Sequence, residues 1–470
     1  MKIGVIGGGL TGLALAFRLT RLGHTVTVLE REKQVGGLAT YANYGRFYWD
    51  RFYHVILPSD QHLIQFIQDL GLADQLRWTR TLTGFYVDKQ FHSMSSSAEF
   101  LRFPPVSLLG KIRLALTIIY CSRINNWRRL EQVAVSDWLR KLSGEATYEK
   151  IWKPLLLAKL GENYQRVSAV FIWSYIKRMF SARHGSASKE QLGYVSGGYK
   201  AVFDRLQYFL QHSESEIRTN VTVNRISSKS NGGMLVEYGN NNKESFDRVI
   251  FTSPVNVLRQ VAAPGLINMD NRGSDVEYLG VICMILLTRK PLVPYYVVNI
   301  ADQQIPFTGI IGMSNLVSSE ETAGLHITYL PKYVDSRSAL LQTTDEELRN
   351  LFMQGFRLMF PDFDEKDIES THIHRAVKVQ PLQVLGYSQL VPKIDSEHPD
   401  FFVLNTAQFT HTTLNNNEVI RAVDTFLNDY GDQFLRQPDY RPDSRTRRVD
   451  LGAKTNPIRA PLPHAGEGLG

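Results

Sequence analysis

The first thirty residues carry a regular succession of apolar segments. Lys2 to Ile6 is a short apolar run typical of a buried strand, Leu13 to Leu22 repeats apolar positions at helical spacing, and Thr25 to Glu30 is a second strand-like run. Gly23 can end the intervening helix in the left-handed conformation. Two strands joined by one helix form a βαβ unit, whose right-handed crossover requires a parallel sheet. The chain is therefore predicted to begin with an α/β fold.

The remainder of the chain alternates between helical and strand-like blocks. Ser59 is a suitable N-cap for a helix that Gly71 can end, residues 81–91 have the pattern of a hairpin turning near Asp88, and residues 96–180 are mostly helical. The further predictions are strands at 217–226, 234–238, 248–252, about 371–379 and 401–404, a strand-rich block at 278–329, and helices near 345–359 and 416–430. This succession predicts a second region with a mixed sheet and a helical cap.

Composition and charge narrow the class of protein. With 470 residues, 21% of them charged, the chain has room for more than one core. From Gln437 onward, prolines and arginines replace large apolar side chains, which predicts a disordered tail at 436–470. Of the formal charge of +7, +3 lies within residues 441–470, and no basic stripe with interleaved aromatic residues remains in the body. Nucleic acid is therefore not expected as a partner.

Cysteine usage and the longest apolar stretch indicate where in the cell the protein is expected. Cys121 and Cys283 cannot assemble a disulfide framework, and the strand at Lys2 leaves no room for a signal peptide, so we expect a cytoplasmic protein. The apolar stretch within residues 107–129 is interrupted by basic residues and is too short to span a bilayer. It predicts either a helix lying peripherally on a membrane or a cap helix packed on its own domain, and we favour the second.

A glycine-rich turn follows the first predicted strand and opens the first helix. At such a turn Gly7 permits the tight bend, Gly9 lets the backbone approach a pyrophosphate, and Gly12 lets helix and strand pack closely. Glu30 ends the second strand and can accept both hydrogen bonds of an adenosine ribose, while its charge repels a 2′-phosphate. The turn reads Gly7-Gly8-Gly9-Leu10-Thr11-Gly12. An adenine dinucleotide other than NADP is therefore predicted to bind here, with Leu10 and Thr11 among its contacts.

A second glycine turn follows Glu30, and together with the first turn it resembles the pattern of a known family. Arg31 follows Glu30, and the turn itself reads Gly36-Gly37-Leu38-Ala39-Thr40. The combination of dinucleotide turn, ribose acid and Gly-Gly turn resembles the flavin-containing amine oxidase and protoporphyrinogen oxidase superfamily. The resemblance implies that the cofactor is FAD. It also implies that Arg31, Gly36, Gly37 and Leu38 lie against that cofactor.

The resemblance continues along about residues 1–430. Residues 194–198 look like the family's returning Gly-Gly segment, residues 219–223 like the strand that meets adenine at Val223, and residues 248–254 like the closing strand. Residues 375–381 are similar to the strand that passes the flavin ring. The resemblance implies a discontinuous Rossmann-like FAD-binding domain at 1–80, 190–260 and 395–435, with an interleaved substrate-binding domain at 81–189 and 261–394.

Two positions depart from the family pattern. Asn405-Thr406 stands where members usually carry Gly-Asp, and Leu38 stands where many carry arginine. These changes put one polar contact and one positive charge near the cofactor in doubt, although the backbone site remains. The last predicted helix can still direct its free N–H groups near Asn416 and Asn417 at the flavin.

Candidate catalytic residues come from two segments. On the strand near 371–379, alternation places His372, His374, Ala376 and Lys378 on one face, and a desolvated Lys378 can act as a base, although a solvated lysine at a strand end is equally expected. Within residues 48–54, Arg51 and His54 resemble the flavin-neighbouring segment of UDP-galactopyranose mutase, and a packed aromatic cluster is the alternative. With no third ligand near His372 and His374, no metal site is predicted.

Function is expected to follow from the flavin. No second dinucleotide turn is present to hold NADPH, so electrons are expected to come directly from a small organic substrate. We expect oxidation of a C–N or C–C bond by hydride transfer to FAD. The two alternatives are a non-redox mutase acting on a nucleotide sugar and a catalytically idle FAD-binding scaffold. The sequence leaves the substrate, the electron acceptor and the oligomeric state open.

Overall fold

The computed structural model describes residues 1–183, 191–267 and 276–435, and the predicted tail at 436–470 lies outside them. Its strands are β1 Lys2–Ile6, β2 Thr25–Leu29, β3 Tyr41–Asn43, β4 Tyr48–Asp50, β5 Leu76–Arg80, β6 Thr83–Val87, β7 Gln90–Ser93, β8 Gln191–Val195, β9 Glu216–Arg218, β10 Val223–Ser228, β11 Met234–Tyr238, β12 Asn242–Phe246, β13 Arg248–Phe251, β14 Tyr278–Thr288, β15 Val297–Ile300, β16 Gly309–Gly312, β17 His326–Asp335, β18 Ile368–Pro381 and β19 Phe401–Val403. Its helices are α1 Leu10–Arg21, α2 Gln61–Asp69, α3 Ser97–Arg102, α4 Leu108–Arg123, α5 Trp127–Leu130, α6 Val135–Ser143, α7 Glu145–Thr147, α8 Lys153–Leu160, α9 Val170–Arg183, α10 Gly198–Gln211, α11 Val255–Val261, α12 Asp345–Met359 and α13 Asn416–Leu435.

A five-stranded parallel sheet forms the first layer. Its strand order is β19-β13-β1-β2-β9, and every neighbouring pair runs parallel. The apolar faces of α1, α2, α10 and α13 share one core on one side of the sheet, where Phe66, Phe203 and Phe426 are buried. The small sheet β10-β11-β12 and α11 cover the other side. The α/β prediction is confirmed, and all five carboxyl ends meet at one edge, where such sheets bind ligands.

A seven-stranded mixed sheet forms the second region. Its order is β18-β14-β17-β16-β15-β6-β7, and β14 is buried along its whole length because it has a neighbour on each side and a core on each face. Helix α12 covers one face through Phe352 and Phe356. The other face packs against the hairpin β3–β4 and the segment after it, including Trp49. Most of the helices between α4 and α9 form a cap around their own core.

Turn residues account for several boundaries that were predicted correctly. Gly23 and Gly71 follow α1 and α2 with φ of +87° and +73°. The hairpin β6–β7 turns at Asp88 and Lys89, both in the left-handed region with φ of 53° and 60°. Helix α12 begins where predicted because Thr344 and Glu347 form a reciprocal capping box. At these boundaries the turn and capping residues alone were sufficient to predict where each element begins or ends.

Other boundaries differ from the prediction for local reasons. The single strand expected at 217–226 is two strands, because Asn220 has φ of 57° and turns the chain from the parallel sheet into the small one. Strand β12 was not predicted. Helix α2 begins at Gln61 rather than after Ser59, since the carboxylate of Asp60 accepts the Leu57 N–H at 2.9 Å and closes a turn there.

Candidate cofactor and substrate sites

The first glycine turn contains two glycines that the protein itself requires. Gly7 has φ of +113°, a conformation that side chains rarely adopt. A Cβ on Gly12 would lie 2.0 Å from the carbonyl oxygen of Gly7, so α1 can cross β1 this closely only without a side chain there. These two glycines therefore fix the turn whether or not a ligand is bound.

Gly9 differs because nothing in the described chain requires it. Its φ of −72° and ψ of 178° suit any residue, and a Cβ there would meet only the Cα of Gly37, at 3.9 Å. The missing side chain leaves a cradle at the N-terminus of α1, whose first turn is formed by the buried Leu10 and the half-buried Thr11. Free N–H groups and the helix dipole favour a phosphate there. The residues present thus fit the pyrophosphate of FAD.

The second glycine turn closes the cradle from the other side. The N–H of Gly36 donates to the carbonyl oxygen of Gly8 at 2.8 Å, and Gly9 forms a parallel bridge with Gly36. Gly36 and Gly37 have φ of +116° and +57°, so both positions favour glycine. Leu38 is half-buried in the single helical turn that follows. The two turns predicted to share the pyrophosphate therefore lie side by side.

Glu30 lies at the end of β2, next to the first turn. One carboxylate oxygen accepts the N–H of Gly8 at 2.6 Å, and the other accepts the N–H of Glu32 at 2.8 Å. The carbonyl oxygen of Glu30 accepts the N–H of Val221 at 2.9 Å, which brings the chain leading to Val223 alongside. Arg31 is exposed and pairs with Glu32 at 3.0 Å. Glu30 and the segment leading to Val223 are thus neighbours, and their contacts with the ribose and the adenine stay predictions.

Asn405, which departs from the family pattern, uses its side chain for hydrogen bonds within the protein. The Asn405 side chain accepts the N–H of Ala407 at 3.0 Å and donates to the carbonyl oxygen of Ser253 at 3.1 Å, which joins the ends of β19 and β13. Thr406 follows in a short helical turn. Asn405 therefore orders the sheet edge beside the first glycine turn, and its contact with the cofactor stays a prediction.

The N-terminus of α13 faces the same edge through a capped first turn. Asn415, which was not predicted, accepts the N–H of Glu418 at 3.0 Å. The Asn417 side chain accepts the N–H of Leu63 at 3.1 Å and ties α13 to α2. Within the described residues no acceptor is found for the backbone N–H groups of Asn416 and Asn417. These two groups can therefore serve a ligand.

His54 belongs to a buried cluster behind the second glycine turn. Its Nδ1 lies 3.5 Å from the carboxylate of Asp50, and its ring packs edge-on against Tyr199, with centroids 5.1 Å apart. Asp50 also accepts the N–H of Tyr199 at 2.9 Å. Burial raises the pKa of Asp50, while its interaction with His54 acts in the opposite direction. His54 thus lies beside a carboxylate without a short hydrogen bond to it, an arrangement that suits either packing or proton transfer.

Arg51 contacts strand β3 through its side chain. Its Nε donates to the carbonyl oxygen of Tyr41 at 3.1 Å. Burial, with a further contribution from the charge of Arg51, lowers the pKa of His374 to about 4. The ring of Tyr44 contacts both His372 and His374, and its hydroxyl lies 3.1 Å from Nε2 of His374. The two histidines therefore share a face, as predicted. Among the described residues, no group of three side chains suited to a metal is found.

Lys378 lies in an irregular part of β18, so its place on the face of the two histidines stays a prediction. Residues 377–379 form a bulge opposite Gly280, where β18 departs from regular pairing with β14. Burial and the charge of Arg31 lower the pKa of Lys378. Gly280, inside an otherwise apolar strand, was the sequence signal for this bulge. Arg51, His54 and Lys378 do not contact one another in any described interaction, and their catalytic roles stay predictions.

A pocket of tyrosines between the cap and the mixed sheet was not predicted. Its members come from the segment after β4, from α8, from α9 and from β17. The hydroxyls of Tyr53 and Tyr333 lie 2.8 Å apart, and Nζ of Lys159 lies 3.3 Å from the ring centre of Tyr333. We call Tyr53, Lys159, Tyr175 and Tyr333 the tyrosine pocket. No sequence motif indicates this pocket, because its members are brought together only by folding.

The fold and the glycine cradle define an FAD-binding flavoprotein. The chain matches the flavin containing amine oxidoreductase family over residues 10–395, and it belongs to that family. FAD is therefore the cofactor of this protein, and its place in the cradle stays a prediction.

Individual relatives agree on this fold. Mitochondrial protoporphyrinogen oxidase of Nicotiana tabacum is 22% identical over 340 residues, which cover 63% of this chain and 66% of the tobacco protein. The chain thus spans slightly less than two thirds of that relative. An oxidoreductase from Methanosarcina mazei has a TM-score of 0.71 at 18% identity, with 91% of this chain and all of that chain covered. Putrescine oxidase bound to putrescine has a TM-score of 0.68 at 16% identity, with 93% and 100% covered.

Proposed function

We propose that the protein uses FAD to oxidise a C–N or C–C bond of a small organic substrate bound in the tyrosine pocket. When bound, FAD supplies a hydride acceptor. The observation that supports the proposal is that the tyrosine pocket adjoins the second glycine turn: Tyr53, whose hydroxyl contacts that of Tyr333, lies two residues after Arg51, and the N–H of Arg51 donates to the carbonyl oxygen of Thr40 in that turn at 3.0 Å. In this proposal a substrate in the pocket lies beside the second glycine turn and so close to the cofactor.

The residues of the chain have separate parts in this proposal. Lys378 and His54 are the groups able to accept a proton, since burial lowers the pKa of Lys378 and a carboxylate lies beside His54. Arg51 keeps a positive charge beside the neutral His374. We also propose a cytoplasmic location, because the two cysteines, Cys121 and Cys283, are unpaired.

The test is a screen of amines and other reduced organic compounds with the purified flavoprotein under anaerobic conditions. A true substrate bleaches the oxidised flavin in the absence of air, and admitting an acceptor restores the colour. Turnover of a nucleotide sugar only after dithionite reduction would replace the proposal with mutase chemistry. FAD binding without any substrate-linked spectral change across the screen would favour the scaffold alternative.

A further inference from the structure

The tyrosine pocket has a fixed position between two parts of the molecule. Helix α8, which carries Lys159, is held against the mixed sheet because the Thr308 hydroxyl donates to the carbonyl oxygen of Ala158 at 2.9 Å. On the opposite side, the side chain of Gln380, at the end of the bulged strand β18, hydrogen bonds to the hydroxyl of Tyr175. The pocket therefore joins the cap to the strand that carries Lys378.

Its side chains face an internal space rather than bulk solvent. Tyr53, Lys159, Tyr175 and Tyr333 all retain accessible surface. Burial nevertheless raises the pKa of all three phenols, that of Tyr175 to about 12. From the combination of accessible surface and desolvation we infer that these side chains line an internal cavity. The rings offer apolar faces to the body of a ligand, and the hydroxyls offer hydrogen bonds to its polar groups.

Lys159 is the charged group of this space. Among the described residues no carboxylate pairs with it, and its ammonium group rests on the faces of Tyr333 and Tyr175. Its neighbours stay neutral near pH 7, because burial raises the pKa of the three tyrosines and of Cys283 on β14. An ammonium ion removed from water without a counter-ion is costly, and an anionic ligand relieves that cost.

We propose that Lys159 binds a carboxylate of the substrate, while the rings of Tyr175 and Tyr333 hold the substrate's apolar or aromatic body. The inference rests on the proposed function and adds the substrate class, an organic acid. A diphosphate fits less well, since it carries more charge than one lysine balances and is bound best by arginine forks. The nearby Arg178 is already paired with Asp60 at 2.8 Å.

The experiment titrates the holoprotein with benzoate, benzamide, benzylamine and UDP and follows the visible flavin spectrum. Benzoate should bind more tightly than its neutral isostere benzamide. Lys159→Met should weaken benzoate binding about tenfold or more and leave benzamide unchanged, because only the charge-assisted contact is lost. Lys159→Arg should restore part of the benzoate affinity. Burial lowers the pKa of Lys159 to about 7, so benzoate affinity should fall as the pH rises above that value.

A matched control lies one residue from Tyr333. Lys332 is also half-buried on β17 with its pKa lowered by burial, but its Nζ donates to the carbonyl oxygen of Pro306 at 2.7 Å. Lys332→Met should leave benzoate binding unchanged. Flavin content and melting temperature of each variant show whether it folds, and Lys159→Gln replaces the methionine variant if that one does not.

Three results would overturn the inference: equal benzoate affinity in wild type and Lys159→Met, tighter binding of benzylamine or UDP than of benzoate, or no benzoate binding at any pH. If an organic substrate still bleaches the flavin in such a protein, only the substrate class is wrong. If no substrate bleaches it, the proposed function fails instead.

A second, independent inference concerns helix α4. Its inner side packs on the cap through Leu114 and Cys121, which confirms the expected cap helix. Its outer side is a row of exposed large apolar side chains at helical spacing, which we call the α4 face. They are Leu108, Leu109, Ile112, Leu116, Ile119 and Tyr120, between 39% and 68% exposed. Within the described chain, no helix is long and apolar enough to cross a bilayer.

We infer that the α4 face lies on an anionic lipid surface. Residues 100–130 contain six basic residues and no acidic one, and Arg123, Arg128 and Arg129 lie at the C-terminal end of α4 and in α5. A second copy of the chain seated on this face would bring like charges together, which disfavours a dimer. In a bilayer with anionic headgroups, the apolar row is buried at the acyl boundary and the arginines are attracted to the headgroups.

Sedimentation of the holoprotein with vesicles tests this inference. We expect binding to phosphatidylglycerol–phosphatidylcholine vesicles, weaker binding to pure phosphatidylcholine, and loss of binding in Ile112→Ser/Leu116→Ser. Leu358→Ser is the control, because Leu358 is an equally exposed residue, 58% accessible, on α12. Unchanged vesicle binding in the double variant would overturn the inference. So would a dimer in solution that the double variant dissolves.

Discussion

The cofactor cradle and the tyrosine pocket are built in opposite ways. The cradle is backbone: two glycine turns, two helix N-termini and one carboxylate, most of them within residues 7–37. The tyrosine pocket is made of side chains from positions as distant as Tyr53 and Tyr333. Backbone geometry tolerates few residue types, whereas a pocket wall accepts many. The cofactor site can therefore be recognised from a short stretch of the sequence, whereas the substrate site cannot.

The largest expected effect is the loss of stability when Gly12, a helical glycine that close packing requires, is replaced. Gly12→Ala should destabilise the protein by about 1–3 kcal/mol or more, because its Cβ would lie 2.0 Å from a carbonyl oxygen. Gly431→Ala in α13 is the control, since a Cβ there meets nothing within 4 Å, and it should be neutral or stabilising. Thermal unfolding of both variants measures the difference. Equal stability would show that α1 does not depend on close packing at Gly12.

Next in size is the loss of the ribose acid. Glu30→Ala should weaken FAD binding about ten- to a hundredfold, since charge-assisted hydrogen bonds contribute about 1.5–3 kcal/mol. Glu32→Ala is the matched control, because that side chain is 64% exposed and pairs only with its neighbour Arg31. Equilibrium titration of the apoproteins with FAD gives the affinities. Identical affinities in the two variants would contradict the assignment of Glu30.

The smallest effect concerns the stability of the pocket. Burial lowers the pKa of Lys159 to about 7 in the folded protein, so between that value and 10.5 the unfolded chain binds a proton that the native protein does not. Stability contributed by this group therefore rises with pH across that window. Lys159→Met should raise the free energy of unfolding by about 1 kcal/mol below pH 7, and the gain should shrink as the pH rises. A gain that does not change with pH would mean that Lys159 is not desolvated.

The same contrast decides how much the sequence alone could predict. Gly7, Gly9, Gly12, Gly36 and Glu30 were identified because their roles follow from φ angles, close approach and charge at fixed spacing. Asn220 and the bulge at Lys378 changed the strands, since a single left-handed residue or an extra pair of residues alters a register without altering the apolar pattern.

The pocket residues lacked any such local signal. Lys159 stands in an ordinary helical segment, and Tyr175 and Tyr333 stand among many aromatic residues. Only the docking of α8 on β17 shows that a lysine without a carboxylate partner meets these rings. Long-range packing of this kind has no period and no spacing along the chain. Substrate recognition was for this reason beyond the sequence, although the cofactor was not.

Gly9→Ala tests most directly the claim that the first glycine turn is shaped for FAD. Its backbone conformation suits alanine, and a Cβ has only one neighbour, at 3.9 Å, so the apoprotein should melt at the wild-type temperature. The methyl group would nevertheless fill the space of the pyrophosphate, and the variant should be purified without flavin and bind added FAD at least tenfold more weakly. A Gly9→Ala protein that retains FAD at wild-type occupancy would contradict the account.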